Sequence, residues 1–247
     1  LIANPSAFVM GLPGLGKSSS VRHLIMGLAA MGVHSMVLGD LKPDYVDLVR
    51  ALGGQVIEVG RGRGRINPLD TGESASGSDR MPIPRKLRKE LREDAHGRRL
   101  TMLASLVQLA RNAAPSDREE AILDQSLLVL DAKLSRTPVI ADVLDVIRQA
   151  PDSVRQVAID RGDIERYQDI TEGLEATLVS MLSGRFGDVF SGQTSTPMSL
   201  DRPVVFDVSS INENDKALEA AALMCCWSHG FGQVNAANLI ADAGLAP

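Results

Sequence analysis

Much of what this sequence has little of narrows its class. Aromatic residues make up 3% of the 247 residues, with a single Trp, which leaves few surfaces on which nucleic-acid bases could stack. Positive charge is not in excess either. The formal net charge is -5, so there is no global attraction to DNA, RNA or an anionic membrane, and any such contact has to be local. Cysteines number two, Cys225 and Cys226, adjacent in an apolar helical segment. That placement argues for packing and against a disulfide framework or a metal pair. His23, His34, His96 and His229 are scattered without metal-ligand spacing. No apolar run approaches the roughly 18–20 residues of a bilayer-spanning helix, and no signal-peptide pattern opens the chain. A soluble chain in a reducing, cytoplasmic setting is the expectation. With 44% hydrophobic residues, the chain has enough apolar surface for a sizeable core.

What is present near the start is specific. Gly11, Leu12, Pro13, Gly14, Leu15, Gly16, Lys17 and Ser18 fit the phosphate-binding pattern G-x-x-x-x-G-K-[ST] without a mismatch. The apolar residues Ala7, Phe8, Val9 and Met10 ahead of it have the length of a strand, and Val21, Leu24, Ile25 and Leu28 after it recur at helical spacing. A strand, a glycine loop and a helix are therefore expected in that order. Gly11, Gly14 and Gly16 would let consecutive backbone N–H groups turn inward around a β-phosphate. The helix N-terminus adds its partial positive charge. Lys17 would bring a full charge to the β- and γ-phosphates, Ser18 a hydroxyl ligand to Mg²⁺, and Ser19 a second polar group near the α-phosphate. ATP with Mg²⁺ is the expected ligand.

A hydrolase of this type also needs an apolar strand that ends in a metal-holding acid, usually followed by glutamate. No strand ending in Asp-Glu is found. Two strands end in a single acid, at Asp40 and at Asp207, and either can be an ordinary sheet strand reaching its polar rim.

Along the chain, residues 7–70 alternate strands and helices: a strand about Met36 to Leu38, a helix about Tyr45 to Leu52 stopped by Gly53 and Gly54, and a strand from Gln55 to Val59. The expected fold is a P-loop, RecA-like parallel α/β sheet with a helical insertion. Residues 1–70 form its first part, the Gly/Ser/Pro-rich residues 71–84 a linker, residues 85–184 the insertion, and residues 185–247 the return to the sheet. Within the insertion, Ser116-Asp117-Arg118-Glu119 reads as a capping box. Thr137-Pro138 reads as a helix start with proline at the first helical position. A further helix is expected over about Thr171 to Ser183, and another over about Asp215 to His229. The basic run Arg85, Lys86, Arg88, Lys89 and Arg92 is offset by Glu90 and Glu93 at helical spacing, and reads as a solvated face, with a docking surface for a partner or single-stranded DNA as the alternative. Arg61, Arg63, Arg65 and Arg185 are candidates to touch nucleotide or a neighbouring subunit.

Taken in order, the P-loop, Gly39-Asp40-Leu41-Lys42-Pro43-Asp44-Tyr45, Leu52-Gly53-Gly54-Gln55-Val56-Ile57 and Ile66-Asn67-Pro68-Leu69-Asp70 resemble the conjugative-transfer ATPases of type IV secretion systems, in the HerA–FtsK motor superfamily. The segments from Gly184 to Gly192 and from Val204 to Ser209 resemble that family too. The family commonly reads Asp-x-Lys-Gly-Glu-Tyr at the first of these turns, so Asp40, Lys42 and Tyr45 match while Pro43 and Asp44 depart. The resemblance implies an ATP-hydrolysing motor, a hexamer, and partners in the secretion or conjugation machinery at the inner face of a membrane. Arg185 would be its candidate arginine finger. A DNA translocase or coupling protein of the same superfamily, and a nucleotide-dependent scaffold without turnover, are the alternative readings. The resemblance also implies that the Asp-Glu strand falls beyond Pro247, so the chain reads as an excerpt that binds ATP and turns it over slowly.

Overall fold

The computed structural model describes residues 7–72 and 83–245, so most of the expected linker lies outside the described residues. Three short strands, β1 (Met36–Asp40), β2 (Gln55–Glu58) and β3 (Val204–Asp207), form a parallel sheet in the order β1-β3-β2. β3 is flanked on both sides, and all four of its residues are buried, as expected for a central parallel strand covered on both faces. Burying Phe206 alone is worth about 1.5–3 kcal/mol. The pairing of β1 with β3 shifts register between Val37 and Asp40, where Gly39 adopts a φ of 123°.

The helices are α1 (Lys17–Ala30), α2 (Val46–Ala51), α3 (Arg85–Arg111), α4 (Asp117–Lys133), α5 (Ile140–Gln149), α6 (Asp152–Ala158), α7 (Ile164–Leu182), α8 (Gly184–Phe190) and α9 (Lys216–Asp242). The start of α4 is the capping box read from the sequence: the Ser116 hydroxyl accepts from the Glu119 N–H, and the Glu119 carboxylate accepts from the Ser116 N–H at 2.7 Å. α7 begins earlier than expected because Asp163 caps it, accepting from the N–H groups of Glu165 and Arg166 at 3.0 and 3.3 Å. Pro138 is not the first residue of α5. The helix starts at Ile140, and Asp142 reaches back to accept from the Val139 N–H.

One hydrophobic core joins the sheet to the helices of residues 85–184. Ile57 and Phe206 from the strands belong to the same buried cluster as Leu103, Leu123, Ile140 and Leu178. Tyr167 lies inside it, donates its hydroxyl to the Ile147 carbonyl at 2.8 Å, and has its pKa pushed up to about 12, chiefly by burial. α9 packs on β1 and α3 and runs far beyond His229. Glycines permit this approach: a Cβ on Gly232 would collide with the Thr71 carbonyl, and one on Gly230 with the Leu38 side chain.

The segment ahead of the glycine loop departs from expectation. Residues 7–10 are not a strand, and Phe8 and Met10 are 90% and 87% exposed. The apolar run has the composition of a strand, but no described strand lies beside it to supply hydrogen bonds. α1 forms as expected, but its apolar face does not: of Val21, Leu24, Ile25 and Leu28, Ile25 alone is buried and Leu24 is exposed.

Candidate functional site

The glycine loop ends at Gly16, which stands as the N-cap of α1 with φ 80° and ψ 16°. Gly14 also has a positive φ, 81°, whereas Gly11 does not share that conformation. Only two of the three glycines are therefore demanded by left-handed backbone. At Gly11 a Cβ would meet the Lys17 side chain at ordinary contact distance, 3.6 Å. Lys17 folds back over the loop and donates its ammonium to the carbonyl oxygens of Gly11 and Leu12, at 2.8 and 2.9 Å. The charge thus sits above the loop, held by two neutral acceptors that an anion can displace. Ser20 donates to the Gly16 carbonyl at 3.1 Å, and Ser19 is exposed.

Ser18 points elsewhere. Its hydroxyl donates to an Asp44 carboxylate oxygen at 2.9 Å, which joins the start of α1 to the turn after β1. Arg22, one turn along α1, donates Nε to the Asp44 carbonyl at 2.6 Å and sets its guanidinium 3.6 Å from the carboxylate. The turn itself is held by Asp40, whose two carboxylate oxygens accept from the N–H groups of Asp44, at 3.3 Å, and Tyr45, at 2.8 Å. Asp40 is 4% exposed. Burial pushes its pKa up, the two backbone donors work against that, and the neighbouring carboxylates Asp44 and Asp207 add to the rise.

Asp207, the other strand-ending acid, faces Asp40 across the β1–β3 pair. One of its oxygens accepts from the Ser209 N–H at 3.0 Å, and the other lies 3.7 Å from Arg63, which also bridges to Glu58 at 3.2 Å. Both acids singled out in the sequence are thus engaged in local structure. The acid in contact with the loop is Asp44, which sequence reasoning treated as a departure from a pattern. The available signal was its position four residues after Asp40, where a strand-ending carboxylate can gather the N–H groups of the following turn. Among the described residues, no group of three or more His, Cys, Asp or Glu side chains could hold a metal ion.

The remaining candidates have partners of their own outside the loop. Arg185 pairs with Asp215, the N-cap of α9, at 3.0 Å, and its guanidinium lies 5.2 Å from the Phe186 ring centre. Arg61 pairs with Asp188 at 3.0 Å. In the basic run, Lys89 pairs with Glu93 at 3.5 Å, as a solvated helix face would. His96 lies between Asp124 and Asp131, at 2.7 and 3.1 Å, while buried His229 contacts the Asp70 carbonyl. Among the described residues, no helix is long and apolar enough to cross a membrane.

Comparison with known proteins brings out the fold. No protein-family model matches the chain, and no curated protein matches it. Among solved structures, it is similar to VirB4 of Thermoanaerobacter pseudethanolicus, with a TM-score of 0.65 and 18% sequence identity over 91% of this chain and 55% of that one. The chain therefore spans about half the length of that structure, and over nine-tenths of its own length it shares the VirB4 fold.

Proposed function

We propose that this chain is the nucleotide-binding part of an ATPase of the type IV secretion kind, with ATP and Mg²⁺ as its ligands. The observation that carries the reading is the eight-residue pattern seated at the N-terminus of α1, with the Lys17 ammonium held over the loop, in a chain that shares the VirB4 fold. The residues present suit the ligands. Loop N–H groups and the α1 terminus favour an anion, and the Ser18 hydroxyl, with the negative Asp44 carboxylate beside it, is a hard oxygen donor of the kind a divalent cation prefers. Bound Mg²⁺ would supply charge neutralisation at the phosphate oxygens. In the complete assembly we place the chain in a hexamer at the inner face of a membrane, attached through secretion-system partners.

Lys17→Ala tests the reading. An ammonium about 4 Å from a phosphate charge near a protein surface is worth about 4 kcal/mol. Releasing two carbonyl hydrogen bonds takes back about 1 kcal/mol each. The remaining ~2 kcal/mol corresponds to about thirtyfold weaker ATP binding. Titration with a fluorescent ATP analogue reads the affinity, and circular dichroism checks that the fold is kept. Equal affinity in a folded Lys17→Ala protein would refute the site.

A further inference from the structure

Asp40 spends both carboxylate oxygens on the turn after β1, and Asp207 is shared between Ser209 and Arg63. Asp44 is placed differently. Its backbone N–H is held by Asp40, its carbonyl by Arg22, and its carboxylate lies against the hydroxyl that the phosphate-loop pattern reserves for metal. Three separate contacts thus fix one acid at the loop, from two different elements. We propose that Asp44 is the positioning residue that aims the Ser18 hydroxyl and makes nucleotide binding metal-dependent.

The reasoning is one of charge and orientation. A serine hydroxyl alone is a weak, freely rotating ligand. Held at 2.9 Å by a carboxylate whose turn is clamped from below, it is oriented before any ligand arrives. The carboxylate also adds a negative charge that repels a bare triphosphate and attracts one carrying a divalent cation. Arg22, 3.6 Å from that carboxylate and 41% exposed, offsets part of the charge without burying it. Asp44 therefore acts on the difference between metal-free and metal-loaded nucleotide, whereas Lys17 acts on both alike.

This inference rests on the nucleotide-binding reading, and the test separates the two. Affinity for a fluorescent ATP analogue is measured in Mg²⁺ and in EDTA for the wild-type chain, Asp44→Asn, Asp44→Glu and Lys17→Ala. Asparagine keeps an acceptor for Ser18 and the backbone carbonyl for Arg22, so the change removes the negative charge together with its 3.6 Å ion pair to Arg22. The expected result is a ratio of EDTA to Mg²⁺ dissociation constants about tenfold smaller in Asp44→Asn, with affinity in EDTA equal to or tighter than wild type, and recovery of the ratio in Asp44→Glu. Electron paramagnetic resonance of Mn²⁺ with the nucleotide should show the altered metal environment in Asp44→Asn alone. A wild-type ratio in a folded Asp44→Asn protein that binds nucleotide overturns the assignment of Asp44. No nucleotide binding by wild type in either buffer overturns the underlying reading, and this inference with it.

Discussion

Replacing Glu119 with Gln should destabilise the protein at neutral pH by an amount that disappears in acid. The carboxylate accepts from Arg111 at 2.6 and 2.8 Å, from the Ser116 N–H at 2.7 Å and from the Ser116 hydroxyl at 2.9 Å, so a single side chain closes the α3–α4 corner and caps α4. The Arg111 bonds, followed by the Ser116 donors, hold its pKa at about 2 against an ordinary 4.5, although burial opposes them. At about 1.4 kcal/mol per pKa unit, that depression is worth about 3 kcal/mol at neutral pH. The side chain is 15% exposed, so screening takes little from this. The folded-state pKa is the lower one. Its contribution is therefore complete above pH 4.5 and fades as pH falls towards about 2. Urea denaturation of both proteins, followed by far-ultraviolet circular dichroism at neutral pH and at descending acid pH, measures the gap. Other acids with lowered pKa, such as Asp142 and Asp160, are common to both proteins and cancel in the difference. A gap of about 3 kcal/mol that narrows steadily below pH ~4.5 is expected. A gap that does not change with pH would refute the reasoning, because it would assign the loss to packing and not to the ionised carboxylate.

Two glycines offer contrasting outcomes. Gly16→Ala finds nothing within 4 Å of the new Cβ, but its φ of 80° costs a side chain about 1–2 kcal/mol; the exposed loop sheds that strain by leaving this conformation and must regain it on binding, so ATP affinity should fall about tenfold while the denaturation midpoint stays at the wild-type value. Undiminished affinity in the titration would show that the loop does not bind in this conformation. Gly232→Ala meets the Thr71 backbone instead, and moving α9 off that turn should cost about 1–3 kcal/mol in thermal or urea denaturation. A wild-type melting curve would mean that the turn yields freely.

How much the sequence disclosed depended on whether the signal was local. The capping box at Ser116 and Glu119 located the start of α4 because it rests on chemistry within a few residues, and the apolar runs at Met36, Gln55 and Val204 became the three strands because each finds its partner in the fold. Residues 7–10 were misread for the opposite reason. A strand is a pairing, and composition cannot supply the partner. Gly230 and Gly232 look like helix breakers in one dimension, yet in the fold they let α9 lie close to Leu38 and Thr71. In the candidate site, the loop residues were legible from spacing, whereas the contact of Ser18 with Asp44 was not. It depends on a turn organised by Asp40 and on a helix reaching it from elsewhere in the chain.

The order of the strands also sets an order of events in folding. β1 and β2 are neighbours in sequence but do not pair with each other, since each is bonded to β3, which lies between them. Neither can enter the sheet until the chain has continued through the helices to Val204. Closing a loop of roughly 150 residues by unguided search carries a length-dependent entropy cost of about 4 kcal/mol, so non-local pairing of this kind is slow. α3 to α7 lie within that interval and pack on one another, which brings the two ends of the loop closer than an unstructured chain would. The turn that presents Asp44 to Ser18 is anchored on β1, and its final position waits for β3. The geometry of the candidate site near Lys17 thus depends on a strand contributed far along the chain.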